Sequence, residues 1–110
     1  MITAIVRYKL PPHIDGAACR EHFHRIAPGF ATVKGLISKH FIAAESGWAG
    51  GVYQWERLED AQAFYGGPWL DGIVERYGMR PEIEFFEVLA LTDNARGAVE
   101  RFQEPSPARR

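Results

Sequence analysis

A glycine pair at the entry of an alternating segment is the feature that most constrains the fold of this chain. Residues 50–56 read Gly-Gly-Val-Tyr-Gln-Trp-Glu, an alternation typical of a β-strand. Because glycine weakens a strand, the pair indicates a bend, a bulge or a close approach of another backbone. Tyr53 and Trp55 are predicted to lie on one face, where each needs a hydrogen-bond partner if it is buried. That face is either core or the wall of a pocket for a flat organic molecule.

The segments before this strand predict a strand, a helix and a second strand. Residues 2–10 are rich in β-branched and aromatic residues and end at two prolines, as a strand does. Asp15 is a suitable N-cap for a helix that should kink or restart at Pro28. Residues 35–44 then predict a strand that forms a hairpin with the segment at 50–56, and alternation places Leu36 and Ser38 on the same face of it.

After the central strand, the pattern predicts two short helices and a last strand. The helices cover residues 58–65 and residues 68–77, and the strand covers residues 83–91. The element order is therefore β-α-β-β-α-β with an interrupted second helix. This is the α+β, ferredoxin-like plan, in which both helical regions lie on one face of a four-stranded antiparallel sheet.

The end of the chain is predicted to differ from the rest. Residues 1–92 should form a single ferredoxin-like domain, and residues 93–110 a C-terminal tail that is partly disordered. A short helix around residues 95–102 is compatible with the sequence. Residues 105–110 combine proline with charge and have nothing to bury.

The strands predict a homodimer. Helices cover only one face of the sheet, yet Ile5 is adjacent to Val6 and Phe85 to Phe86, so both faces carry apolar residues. An open face of this composition would exceed the apolar patches that monomers usually expose. Packing against the same face of a second copy, in a closed two-fold arrangement, would cover it.

Charge and cysteine content exclude several functional classes. The net charge of −1 argues against binding to nucleic acid or to an acidic membrane. The single cysteine, Cys19, excludes an internal disulfide, and no His/Cys spacing indicates a metal site. The first apolar run is too short for a signal peptide, so a cytoplasmic location is expected.

Three segments together resemble a known family. Residues 35–41 (Gly-Leu-Ile-Ser-Lys-His-Phe), 49–56 and 61–65 (Ala-Gln-Ala-Phe-Tyr) are similar to the YdhR-type monooxygenase family of the dimeric α+β barrel superfamily. The match follows the element order up to residue 91, but Lys34 stands where the family pattern suggests a proline. The resemblance implies a dimer with one pocket in each subunit.

Relatives of that family include cofactor-free oxygenases for electron-rich aromatic polyketides. The resemblance therefore implies a substrate that, once deprotonated, itself gives an electron to dioxygen inside a dry, flat cavity. No cofactor is expected, because the glycine pairs at 50–51 and 66–67 lack the GxGxxG spacing of dinucleotide sites. Haem-degrading relatives are a poorer match, since the only asparagine is Asn94 in the tail.

Six residues are candidates for the site. Tyr53 and Trp55 are predicted to line the pocket, with core or dimer interface as the alternative. His40 and His22 are candidate bases, because imidazole titrates near neutral pH, although a histidine at a sheet end or helix boundary is also common. Tyr8 and Trp69 would complete an aromatic box, or belong to the core.

Three functions remain open at this point. The first is a cofactor-independent monooxygenase acting on a small aromatic or hydrophobic substrate between sheet and helices. The second is an isomerase or cyclase that uses a single histidine on the same fold. The third is a non-catalytic protein that binds a small hydrophobic ligand. All three need the same apolar pocket with few polar groups.

Overall fold

The computed structural model of the protein describes residues 1–102, and the prediction for residues 105–110 lies outside that range. The elements follow the predicted order and continue into a C-terminal hairpin. They are β1 (Ile2–Lys9), α1 (Gly16–Ile26) with a 3₁₀ turn (Ala27–Phe30), β2 (Leu36–Ala43), β3 (Trp48–Trp55), α2 (Leu58–Phe64), α3 (Gly67–Tyr77), β4 (Glu82–Glu87), β5 (Ala90–Asp93) and β6 (Ala98–Arg101).

The four long strands form an antiparallel sheet in the order β2-β3-β1-β4. Strand β1 pairs with β3 on one side and with β4 on the other, so β1 and β3 are interior strands and β2 and β4 form the edges. Helices α1, α2 and α3 pack on one face of this sheet. The predicted ferredoxin-like α+β fold is confirmed.

Local signals set the helix ends. The side chain of Asp15 accepts a hydrogen bond from the Ala18 amide at 2.8 Å, as an N-cap does. The regular helix gives way to the 3₁₀ turn directly before Pro28, which cannot donate a backbone hydrogen bond. Helix α3 begins around Pro68 and ends at Gly78, whose φ of 73° is left-handed.

The core lies between the sheet and the helices. From β1, the side chains of Ile2, Ala4, Val6 and Tyr8 are buried. From β3, Tyr53 and Trp55 are buried on the same side, so the helices cover the face that carries both aromatics. The alternation predicted for β3 is confirmed.

The glycine pair explains the close contact between β1 and β3. Gly50 has a φ of 155°, and a Cβ atom there would overlap the carbonyl oxygen of Val6 on the neighbouring strand. Gly51 is needed for a different reason, because its Cβ would lie 2.8 Å from Lys39 Cε and 2.9 Å from Tyr53 Cε1. One glycine makes room for a backbone and the other for two side chains.

The structure corrects the alternation predicted at the start of β2. Leu36 and Ser38 were expected to share a face, but a β-bulge separates them. Leu36 packs against the core, whereas Ser38 is exposed and Ile37 is 49% exposed. A bulge adds one residue to a strand, which reverses the faces that follow it.

Residues 95–102 do not form the short helix with which the sequence is compatible. Strands β5 and β6 form a hairpin instead, joined at Gly97 with a φ of 64°. Asp93 fixes this turn, since its carboxylate accepts hydrogen bonds from the Arg96 amide at 3.2 Å and from Arg96 Nε at 2.7 Å. The last strand, predicted to run to residue 91, ends at Glu87, and β5 begins three residues later.

None of the helices within residues 1–102 combines the length and the apolar character that a membrane crossing requires.

Candidate functional site

A cavity of about 260 Å³ lies between the helix-covered face of the sheet and helices α1 and α3. Its walls are apolar and aromatic, and they come from β1, β3, the two helices and the 3₁₀ turn. We refer to it as the Lys39 cavity; its wall residues include Val6, Tyr8, Phe30, Tyr53, Trp69 and Tyr77. Gly50, Gly51 and Gly72 also line it.

Lys39 places an amine among these aromatic walls. The residue pairs with Tyr53 in the sheet and therefore points to the helix-covered side. Its Nζ lies 3.7 Å from the ring centre of Phe30, 3.9 Å from that of Phe41 and 4.5 Å from that of Tyr53. Within residues 1–102, no carboxylate forms an ion pair with this amine.

Two effects act on the charge of Lys39. Burial lowers the pKa of its amine to about 7, because a desolvated ammonium loses its hydration. The three ring faces act in the opposite sense, since their negative quadrupoles favour the ammonium form. Near neutral pH the amine can therefore exchange a proton, which is the property expected of a catalytic base.

His22 and Arg76 add two further nitrogen groups to the lining. Nδ1 of His22 and Nε of Arg76 are buried and find no hydrogen-bond partner among the described residues. Burial is the main reason why the pKa of His22 is lowered, and the positive charges of Arg76, Arg25 and Lys39 lower it further. In the part of the chain that the structure describes, the lining contains no Asp or Glu.

Two tyrosines of the cavity, Tyr8 and Tyr53, stay protonated. Burial raises the pKa of both far above the physiological range. Tyr8 also stacks on Tyr77, with 3.9 Å between ring centres. Tyr8 and Tyr53 therefore offer flat apolar surface and neutral hydroxyl groups rather than negative charge.

Four of the six candidate residues come together at the Lys39 cavity. They are Tyr8, His22, Tyr53 and Trp69. Trp55 is completely buried (0% exposed) outside the cavity lining, where its Nε1 donates to the hydroxyl of Tyr65 at 2.9 Å. It stacks on Tyr53 with 6.1 Å between ring centres and 6° between planes, so it supports the cavity wall without forming it.

His40 lies on the opposite face of the sheet. It pairs with Val52, is exposed, and borders a separate cavity between the sheet and the C-terminal hairpin. His22 and His40 are therefore on different sides of β2 and do not share a site. Lys39 and His40 follow the bulge and are consecutive residues of a regular strand. Their side chains therefore point to opposite faces of the sheet.

Sequence reasoning missed Lys39 and Arg76. The available signal for Lys39 was its place in the middle of a strand, on the same face as Phe41. A lysine there is usually expected to extend its amine to water. Arg76 lies in the last turn of α3, directly before the buried Tyr77. Nothing in the sequence pattern indicated that it lines a cavity.

Solved structures share this fold. A protein of unknown function from Nitrosomonas europaea matches with a TM-score of 0.69 and 18% identity, over 83% of this chain and 91% of its own. A proposed antibiotic biosynthesis monooxygenase from Deinococcus radiodurans matches with a TM-score of 0.65 and 13% identity, over 84% of this chain and 97% of its own. No protein-family model matches the chain, and no curated protein does. At these identities the likeness concerns the fold alone.

Proposed function

We propose that the protein is a cofactor-independent monooxygenase that oxidises a small aromatic substrate in the Lys39 cavity. The observation that carries the proposal is an amine with a pKa of about 7 that lies among three aromatic rings at the wall of this cavity. The monooxygenase assignment of the Deinococcus radiodurans protein agrees with it. So does the resemblance of residues 35–65 to the YdhR-type family.

Lys39 is the base in this proposal. A substrate such as an anthrone would give the proton of its acidic methylene carbon to the neutral amine, which leaves an electron-rich carbanion. The carbanion passes one electron to dioxygen, and the resulting radicals combine into a carbon–oxygen bond. The peroxide that forms then loses water, which converts CH₂ and O₂ into C=O and H₂O without another reductant. His22, the other candidate base at this cavity, would help to receive or return the proton.

Oxygen uptake tests this proposal. We expect at least one member of a panel of hydroquinones and anthrones to support uptake above its own autoxidation. Replacing Lys39 with methionine should lower the rate by about a hundredfold or more, because the proton acceptor is lost. The exposed Lys34 offers a matched control, and Lys34→Met should retain the rate. No enzyme-dependent uptake with any compound, or full activity in Lys39→Met, contradicts the proposal.

The rate should also depend on pH in one direction. Lys39 accepts a proton only when its amine is neutral, and its pKa is about 7. Activity should therefore be low at acidic pH and rise as pH increases through about 7, with a plateau above. Oxygen-electrode rates with a substrate that does not ionise in this range provide the profile. A rate that falls through this range would exclude Lys39 as the base.

Ligand binding without turnover is the second candidate function. It is favoured by the apolar walls, which suit any small hydrophobic molecule and require no chemistry. A compound that binds in the Lys39 cavity but supports neither oxygen uptake nor any change in its own spectrum would identify this case. An isomerase or cyclase using His22 would instead change the spectrum without consuming oxygen.

We further propose that the open face of the sheet forms a homodimer. Ile37, Ile42 and Phe86 are 49%, 40% and 40% exposed, although each is large and apolar. A second copy would cover them. Sedimentation should therefore give a dimer at micromolar protein concentration, and a stable folded monomer there contradicts this.

A further inference from the structure

The ionisable nitrogen groups that line the Lys39 cavity are all bases. Lys39 comes from β2, His22 from α1 and Arg76 from α3. Arg25 acts on His22 from the surface of α1, where it forms an ion pair with Glu21 at 3.7 Å. The other titratable groups in the lining are Tyr8, Tyr53 and Tyr77, and Cys19 acts on Tyr8 from outside the lining. Burial raises the pKa of Cys19, as it does for Tyr8 and Tyr53, so none of these three carries a negative charge near neutral pH.

Within residues 1–102, no carboxylate forms an ion pair with Lys39 or Arg76. A desolvated cation is costly unless an anion or hydrogen-bond acceptors face it. The ring faces around Lys39 offer attraction, but they do not offer the acceptor oxygens that an ammonium group binds best. His22 Nδ1 and Arg76 Nε likewise lack partners among the described residues. Strand β2 and helices α1 and α3 thus each bring a nitrogen group to one aromatic cavity, and the described lining contains no Asp or Glu.

We propose that the Lys39 cavity selects planar aromatic ligands that carry one ionised oxygen, with that oxygen at the Lys39 amine and near His22 and Arg76. The shared chemistry is an aromatic oxyanion, which includes phenolates, enolates and aromatic carboxylates. The importance of this selection for catalysis rests on the proposed function, because the ionised form of such a substrate is the one that gives an electron to dioxygen. The flat walls bind the ring, and the nitrogen groups choose among rings by charge.

If the cavity selects anions, the Lys39 amine should take up a proton from the solvent when an anion binds. An anion next to Lys39 favours the ammonium form and so raises the pKa of the amine above about 7. At about pH 8 the free amine is mostly neutral and becomes protonated when the anion binds. A ligand that is already fully ionised should then bind with uptake of up to about one proton.

Calorimetric titration without oxygen tests the proposal. The probes are naphthoate and its neutral analogue naphthamide, and then nitrophenol and its neutral methyl ether. We expect each anion to bind at least about tenfold more tightly than its analogue, the effect of one unit of pKa coupling. Repeating the naphthoate titration in buffers of different ionisation enthalpy measures proton uptake. The two pairs separate carboxylate from phenolate as the preferred anion.

Two variants of Lys39 make the test specific. Lys39→Met should lose both the preference for the anion and the proton uptake. Lys39→Arg should keep the preference but show no uptake, because an arginine is already charged at about pH 8. The control Lys34→Met should behave like the natural protein. Lys39→Arg also covers the case in which Lys39→Met does not fold.

Each outcome either supports or overturns the inference. Equal binding of both anions and their neutral analogues overturns it, as does naphthoate binding that keeps its preference in a folded Lys39→Met. Anion preference with proton uptake supports it even if no compound supports oxygen uptake, and only the proposed monooxygenase then fails. Oxygen uptake with neutral substrates but no preference for anions would support the proposed monooxygenase and overturn the inferred anion selection.

Discussion

Replacing Gly50 with alanine should reduce the free energy of unfolding by at least about 3 kcal/mol. An alanine Cβ at this position would overlap the Val6 carbonyl oxygen, and would lie 2.8 Å from the Val6 carbonyl carbon and 2.9 Å from Arg7 Cα. All three atoms belong to the backbone of β1, so no side chain can move aside. Its φ of 155° is also unfavourable for alanine. Relief of the overlap would require β1 and β3 to separate at the centre of the sheet.

Urea unfolding followed by circular dichroism measures this effect. Gly72→Ala is a matched control, because Gly72 lies within α3 and nothing occupies the space of its Cβ within 4 Å. That variant should gain up to about 1 kcal/mol from the better helix propensity of alanine. If Gly50→Ala unfolds within about 1 kcal/mol of the natural protein, β1 and β3 do not pack as closely as the structure shows.

Much of the fold follows from the sequence because its local signals agree with one another. The alternation of residues 50–56 placed Tyr53 and Trp55 on one face, and the structure buries both there. Capping by Asp15 and termination at Gly78 set two helix ends as predicted. These features depend on neighbours within a few residues, which is why a single sequence predicts them.

The bulge in β2 and the C-terminal hairpin could not be predicted in the same way. An insertion of one residue between Leu36 and Ser38 depends on pairing with β3, which periodicity does not report. The hairpin depends on Asp93 bonding to Arg96 and on the left-handed Gly97, in a stretch whose composition also suits a helix. In both cases the decisive contacts are made across a turn or between strands.

The candidate site was predicted only in part, for a related reason. Alternation told which residues share a face, and this was enough to bring Tyr8 and Tyr53 to one cavity. It does not tell that Phe30, from a distant turn, lies over the amine of Lys39. The unusual environment of that lysine is made by three elements together, so it becomes visible only in the folded chain.

Trp55→Ala should reduce the free energy of unfolding by about 3–5 kcal/mol, through loss of a buried side chain and the cavity left behind. Trp55 is 0% exposed and does not line the Lys39 cavity. Alternation alone made this residue a candidate for direct contact with the ligand, whereas the structure favours a role in stability. Its removal also leaves the Tyr65 hydroxyl without the donor that now lies 2.9 Å away.

Trp55→Phe separates stability from ligand contact. A phenylalanine ring keeps part of the packing against Tyr53 but removes the donor to Tyr65 and part of the buried ring volume, so this variant should fold with a smaller loss of about 1–3 kcal/mol. Its affinity for naphthoate should stay within about threefold of the natural protein, since the coupling to the cavity is indirect. Thermal unfolding and calorimetric titration of the same samples give both quantities. A Trp55→Phe protein that is as stable as the natural one but no longer binds naphthoate would place Trp55 in the site itself.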